Sequence, residues 1–121
     1  MESISSLHEI QGSWVGFTKD AICYTHFKLS ISQNDFQFWE QNSYRQDTPE
    51  WLDHSILSGK LFLRDFREDK LSDIKYYRLI FFPGGYASQE RTKKALELSN
   101  MIILVEGLGL YIVDQGVMTR I

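Results

Sequence analysis

Cysteine is nearly absent from this chain: Cys23 is the only one in 121 residues. A lone thiol closes no intrachain disulfide, so the fold must be held by packing and backbone hydrogen bonds. Proline is almost as scarce, with two, which leaves few forced breaks in regular structure. No apolar stretch approaches the ~20 residues of a membrane-crossing helix; runs such as LIFF and MIILV have only the length of a strand. Acidic residues outnumber basic ones, 16 to 13, and the two signs are interspersed. With no basic excess, nucleic acid is not an expected partner. His8, His26 and His54 lack zinc-ligand spacing, and no Gly-rich phosphate loop, nucleophile elbow or Cys/His pair is visible. Neither a metal nor a cofactor is expected. MESISSLHEI has no basic region followed by an apolar run, so the chain reads as cytosolic, without membrane association.

What the chain has instead is alternation. Aromatic residues reach 14%, and apolar and polar positions exchange at period two far more often than at helical spacing. Residues 22–32, ICYTHFKLSIS, put Cys23, Thr25, Phe27, Leu29 and Ile31 on one face and Tyr24, His26, Lys28 and Ser30 on the other. Gln33, Asn34 and Asp35 are turn residues. The next strand sets Phe36, Phe38, Glu40, Asn42 and Tyr44 on one face, so the two strands read as a hairpin. A first strand runs from about Ile10 to Phe17. QDTPEWLDH (46–54) interrupts the pattern as a loop or single helical turn, alternation resumes over about 55–66, and REDKLSD reads as a solvated hairpin tip. KYYRLIFF is apolar on both faces, so its outer face is expected to be covered or to meet a partner. Residues 83–96, PGGYASQERTKKAL, read as irregular with a helical turn in the second half, followed by three short strands in SNMIILVEG, GLYIVDQG and VMTRI.

About eight strands with short connections, in one domain spanning 1–121, imply an antiparallel meander. Open edges invite association, so the sheet should close on itself. A Greek-key sandwich needs longer crossovers than these. The expectation is an all-β, eight-stranded up-and-down barrel with a short N-terminal segment.

Gly12-Ser13-Trp14 on the first strand resembles the Gly-x-Trp signature of lipocalin-like (calycin) barrels. In that family the Trp lies across the closed barrel end and stacks on a basic side chain from near the end of the last strand; here Arg120, in VMTRI, stands in that place. GSWVGFTKD, YYRLIFFPGG and the closing TRI are also similar to cytosolic lipocalin-like proteins of cyanobacteria, including the phycobilin chromophore lyases. The resemblance covers the two ends of the chain rather than 34–74, and it implies fold and ligand class only. No catalytic residue of the family matches a position here.

A barrel of this kind is expected to hold a small, largely apolar molecule in its interior, conjugated and bilin- or polyene-like. Trp14, Phe27, Phe38, Glu40, Tyr44, Tyr77 and Arg78 are its candidate contacts, although Tyr77 and Arg78 point to opposite faces and at most one can line the interior. Glu40 shares its face with aromatic residues, so desolvation would suit it to acid–base work if the protein is an enzyme; the competing reading is a solvated acid. Arg78 would bind a ligand carboxylate or pair with Glu40 or Asp65. Phe38→Asp is expected to abolish binding without unfolding the chain. Two alternatives stand beside this reading. One is an enzyme in the same barrel, a chromophore lyase or a cyclase/isomerase working by substrate orientation. The other is a ligand-free interaction module, a homodimer joined through strand 75–82.

Overall fold

In the structure, a computed structural model that describes residues 7–71, 73–85 and 88–121, the described residues form a short helical stretch at 7–9, nine antiparallel strands and one long helix. The strands are β1 (Gly12–Lys19), β2 (Tyr24–Ser32), β3 (Asp35–Ser43), β4 (Leu57–Asp69), β5 (Ile74–Pro83), β6 (Ile102–Val105), β7 (Gly109–Ile112), β8 (Gly116–Val117) and β9 (Thr119–Arg120). Helix α1 (Gln89–Met101) lies between β5 and β6. From β1 to β8 each strand pairs with the next, and β9 pairs back onto β1, so the meander curls into a nearly closed barrel.

The count exceeds the expected eight because the last strand is cut in two. β8 pairs with β7 (Tyr111↔Val117, Ile112↔Gly116), whereas β9 pairs with β1 (Trp14↔Arg120, Val15↔Thr119). Met118 is the crossing point. Its backbone N–H donates to the Leu110 carbonyl at 2.8 Å, and its side chain is buried in the core. A strand that changes partners midway closes the ring at one level and leaves a gap at another.

Local chemistry explains the best-formed elements. The β2–β3 hairpin keeps an unbroken register from Tyr24↔Ser43 to Ser32↔Asp35, as the alternation predicts. Its two-residue turn puts Gln33 in the left-handed region (φ 57°). The β1–β2 connection is tied by Asp20, whose carboxylate accepts from the backbone N–H groups of Ile22 (2.8 Å) and Cys23 (2.9 Å). Those two bonds, Cys23's first, hold its carboxyl below the usual range. β4 and β5 run longer than predicted, because REDK continues the ladder to Asp69↔Ile74 across a bulge between Arg64 and Phe66. Ser72 of the expected hairpin tip lies outside the described residues, as do Met1–Ser6, Tyr86 and Ala87.

The largest departure is α1. Residues 83–96 are not irregular with a single helical turn: thirteen residues from Gln89 form a helix that also takes in Ser99-Asn100-Met101, read from sequence as the start of a strand. Ser88 caps it, its side chain accepting from the Arg91 N–H, and Glu90 in the first turn suits the positive end of the helix dipole. Ala95, Leu98 and Ser99 are its buried positions. In the 46–54 stretch no helical turn forms; it is a loop.

Inside, one cluster of buried apolar side chains runs from Ile10 and Trp14 through Phe27, Leu29, Phe36 and Phe38 to Leu79, Leu104 and Met118, joined by Ala95 and Leu98 of α1. Phe27 and Phe38 stack at 5.7 Å, and Phe36 meets Phe81 edge-on at 5.0 Å. Ser99 is the polar member of the helix interface, and it is satisfied twice: it accepts from the Phe81 N–H (3.0 Å) and donates to the Ala95 carbonyl (2.9 Å).

Candidate functional site

The sequence-derived contacts separate by position. Trp14 is 5% exposed and lies as expected: the Arg120 guanidinium carbon sits 4.5 Å from its ring centre, and the indole N–H donates to the Ile10 carbonyl at 3.0 Å. Arg120 also donates to the Glu9 carbonyl. Gly109 makes room for the ring, since a Cβ there would come within 2.7 Å of it. Phe27 and Phe38 face inward and are packed against each other, so an Asp at position 38 has no water to enter; the expectation that Phe38→Asp leaves the fold intact is reversed. Tyr77 is the inward member of its pair, packed against the core and edge-on to Phe66 at 5.1 Å. Arg78 points outward and donates to the Asn100 side chain at 3.3 Å. Tyr44 does not share the inward face: β3 ends at Ser43, and Tyr44 is 81% exposed.

Glu40 is neither solvated alone nor paired with Arg78. Its carboxylate accepts from Lys94 of α1 at 3.0 Å, at a level where β3 has run past the start of β4, whose ladder begins at Phe38↔Leu57. Burial pulls the Lys94 pKa down, but hydrogen bonds and attraction from Glu40 and then Glu97 outweigh it and raise it above 10.5. A raised lysine contributes its stability fully below 10.5 and loses it as pH rises through the folded value. Because both side chains are about one-third exposed, the contribution is about 1 kcal/mol or less. Melting temperatures of wild type and Lys94→Met should therefore converge in strongly alkaline buffer; a constant gap across that range contradicts the pairing.

The opening in the wall lies elsewhere. Past Val15↔Thr119 the ladder between β1 and the C-terminal strand stops, because Gly116 and Val117 are committed to β7. A groove of about 520 Å³ occupies this seam. Val15, Gly16 and Phe17 form one wall, Gln115 to Val117 and Thr119 the other, with Ile112 beneath and Gln46 and Thr48 at the rim. Gly16 is required for the close approach of the walls: a Cβ there would stand 2.9 Å from Ile112 Cδ1 and 3.3 Å from Met118 Cγ.

The rim is held in place. The 44–56 loop lies over the outer face of β2 and β3, where the Trp39 indole donates to the Leu52 carbonyl (2.9 Å) and Gln41 exchanges hydrogen bonds with Glu50 and Leu52. His26, buried although it sits on the polar face of its strand, bonds through Nε2 to the Arg45 carbonyl at 2.9 Å. A carbonyl only accepts, so Nε2 carries a proton, and in the neutral ring Nδ1 is left as an acceptor. Phe17 and Tyr24 pack around this ring at 5.6 and 6.1 Å. None of the lining side chains is Asp, Glu, Lys or Arg. The groove therefore offers apolar walls with amide, hydroxyl and imidazole groups.

Sequence reasoning missed Phe17, His26, Thr48 and Val117 as a group, since they come from four separate segments. The one available signal was His26 and Phe17 meeting on the outward faces of β1 and β2, where alternation reads as solvent. Cys23, which alternation sets on the same face as Phe27 and Leu29, is partly exposed just ahead of β2. Among the described residues no three His, Cys, Asp or Glu side chains gather as metal ligands, and no helix is long and apolar enough to cross a membrane. No family model, curated protein or solved structure matches this chain.

Proposed function

We propose that this barrel is a binding protein for a small, uncharged, largely apolar molecule, taken up at the seam between β1 and the C-terminal strand. The observation that carries this reading is the groove itself. Its volume of about 520 Å³ lies within the range of small-molecule sites, it combines apolar walls with a few polar groups, and its rim is braced by the 44–56 loop. The interior, by contrast, is occupied by the protein's own aromatic and aliphatic side chains and by Ala95 and Leu98 of α1. Of the ligand expected from sequence the small, largely apolar character is kept, the carboxylate-bearing bilin is set aside, and the place moves outward. Grouping the chain with lipocalin-like barrels is supported by Gly12-x-Trp14 and by Arg120 over the indole.

Val117 is half-exposed on the groove wall, so a longer charged side chain there fills the groove without touching the core. Nile red, an uncharged solvatochromic dye, should bind wild type saturably, and Val117→Lys should weaken it at least tenfold while the melting temperature stays within a few degrees. Undiminished dye binding to folded Val117→Lys removes the seam as the site.

A further inference from the structure

The outer face of the β4–β5 hairpin places two arginines directly across from each other. Arg64 and Arg78 are register partners, and Leu63 and Leu79, their inward neighbours, pack into the core, so both guanidinium stems leave on the outside. Like charges at such a position repel, because cross-strand partners lie only about 5 Å apart. The cost is small in water, and among the described residues neither arginine forms an ion pair. Asp35 is taken by Lys60 (2.6 Å), Asp65 lies 4.0 Å from Arg67, and Glu40 and Glu97 hold Lys94. Arg78 has only the neutral Asn100 amide, and Arg64 has no polar partner among the described residues. Between Gly59 and Pro83 the chain carries six basic and four acidic residues, against a net charge of −3 overall.

Apolar surface continues from the pair on both sides. Phe62 and Phe82, 48% and 59% exposed, meet edge-on on the same outer face. On the other side a hollow of about 150 Å³ is lined by Tyr76, Ile103, Val105 and Tyr111 among others, with Ile103 the register partner of Arg78. That volume is close to one aliphatic or aromatic group. Two residues along β5, about 7 Å, separate Arg78 from Tyr76 at its edge.

We propose that this face is a second binding site, for a small anionic amphiphile: a phosphate monoester or carboxylate held between Arg64 and Arg78, with its apolar body in the hollow beside Ile103. Two guanidinium groups supply the paired donors an oxyanion accepts. A second copy of the chain is a poor occupant, since stacking this face on itself brings together two Arg64–Arg78 pairs, four guanidinium groups in all. The site differs from the seam in place and in charge, so either can fail alone.

The test is calorimetric titration with 1-naphthyl phosphate, with inorganic phosphate for comparison. Wild type should bind the naphthyl ester saturably and at least tenfold more tightly than inorganic phosphate. Arg64→Gln with Arg78→Gln, both at the surface, should weaken it at least tenfold with an unchanged melting temperature. Lys19→Gln, which alters net charge away from this face, should leave it as in wild type. Equal affinity in the double variant, an equal loss in Lys19→Gln, or inorganic phosphate binding as tightly as the ester would each overturn the proposal. So would binding to phosphatidic acid vesicles with none to the free ester, which would make the face a membrane contact.

Discussion

Trp14→Ala is expected to cost about 3–5 kcal/mol, among the largest effects of any single truncation in this chain. Three independent supports converge on the indole: it is buried at 5% exposure, its N–H has a carbonyl partner in Ile10, and Arg120 covers its face. Its loss leaves a cavity against Gly109, which has no side chain to collapse into the space, and strips Arg120 of its stacking surface where β9 meets β1 at Trp14↔Arg120. Urea unfolding of the variant should show the midpoint falling accordingly. A loss below about 1 kcal/mol would mean that the barrel closes without the indole.

Phe38→Asp should abolish cooperative folding altogether. The ring is fully buried, stacked on Phe27, and flanked across the sheet by Leu29 and Leu57. Removing such a ring costs about 3–5 kcal/mol, and an unpaired carboxylate in its place adds several more. Together these approach the 5–15 kcal/mol that stabilise an ordinary domain. Near-ultraviolet circular dichroism and the urea transition both report the outcome. A native-like Phe38→Asp protein would reveal free space beside Phe38 and restore an interior cavity as the ligand site.

Much of the fold was legible because its signals are local. Alternation over 22–32 and turn residues at 33–35 set the β2–β3 hairpin and its register, and Gly12-x-Trp14 with a near-terminal Arg120 anticipated a contact between the two ends of the chain. Helix α1 was not legible in the same way. Only Ala95, Leu98 and Ser99 of its thirteen residues are buried, so it shows little apolar stripe, and the clearest local mark was Ser88 as an N-cap with Glu90 in the first turn. The break at Met118 was hidden for another reason: VMTRI alternates perfectly well as one strand, and only the curvature of the whole sheet decides which neighbour each half meets. Placement of the candidate residues divided along the same line. Phe27 and Phe38 follow from face alternation, whereas Tyr44 failed because the strand ended one residue earlier. The partner of Glu40 came from a helix that the pattern did not announce.

Following backbone amide resonances while the protein is titrated with Nile red separates binding at the seam from binding in the interior. Concerted shifts are expected at Val15, Phe17, His26, Thr48, Val117 and Thr119, with the core amides of Phe27, Phe38 and Leu79 unmoved. Shifts centred on Phe27, Phe38 and Leu79 with the seam silent would contradict binding at the seam.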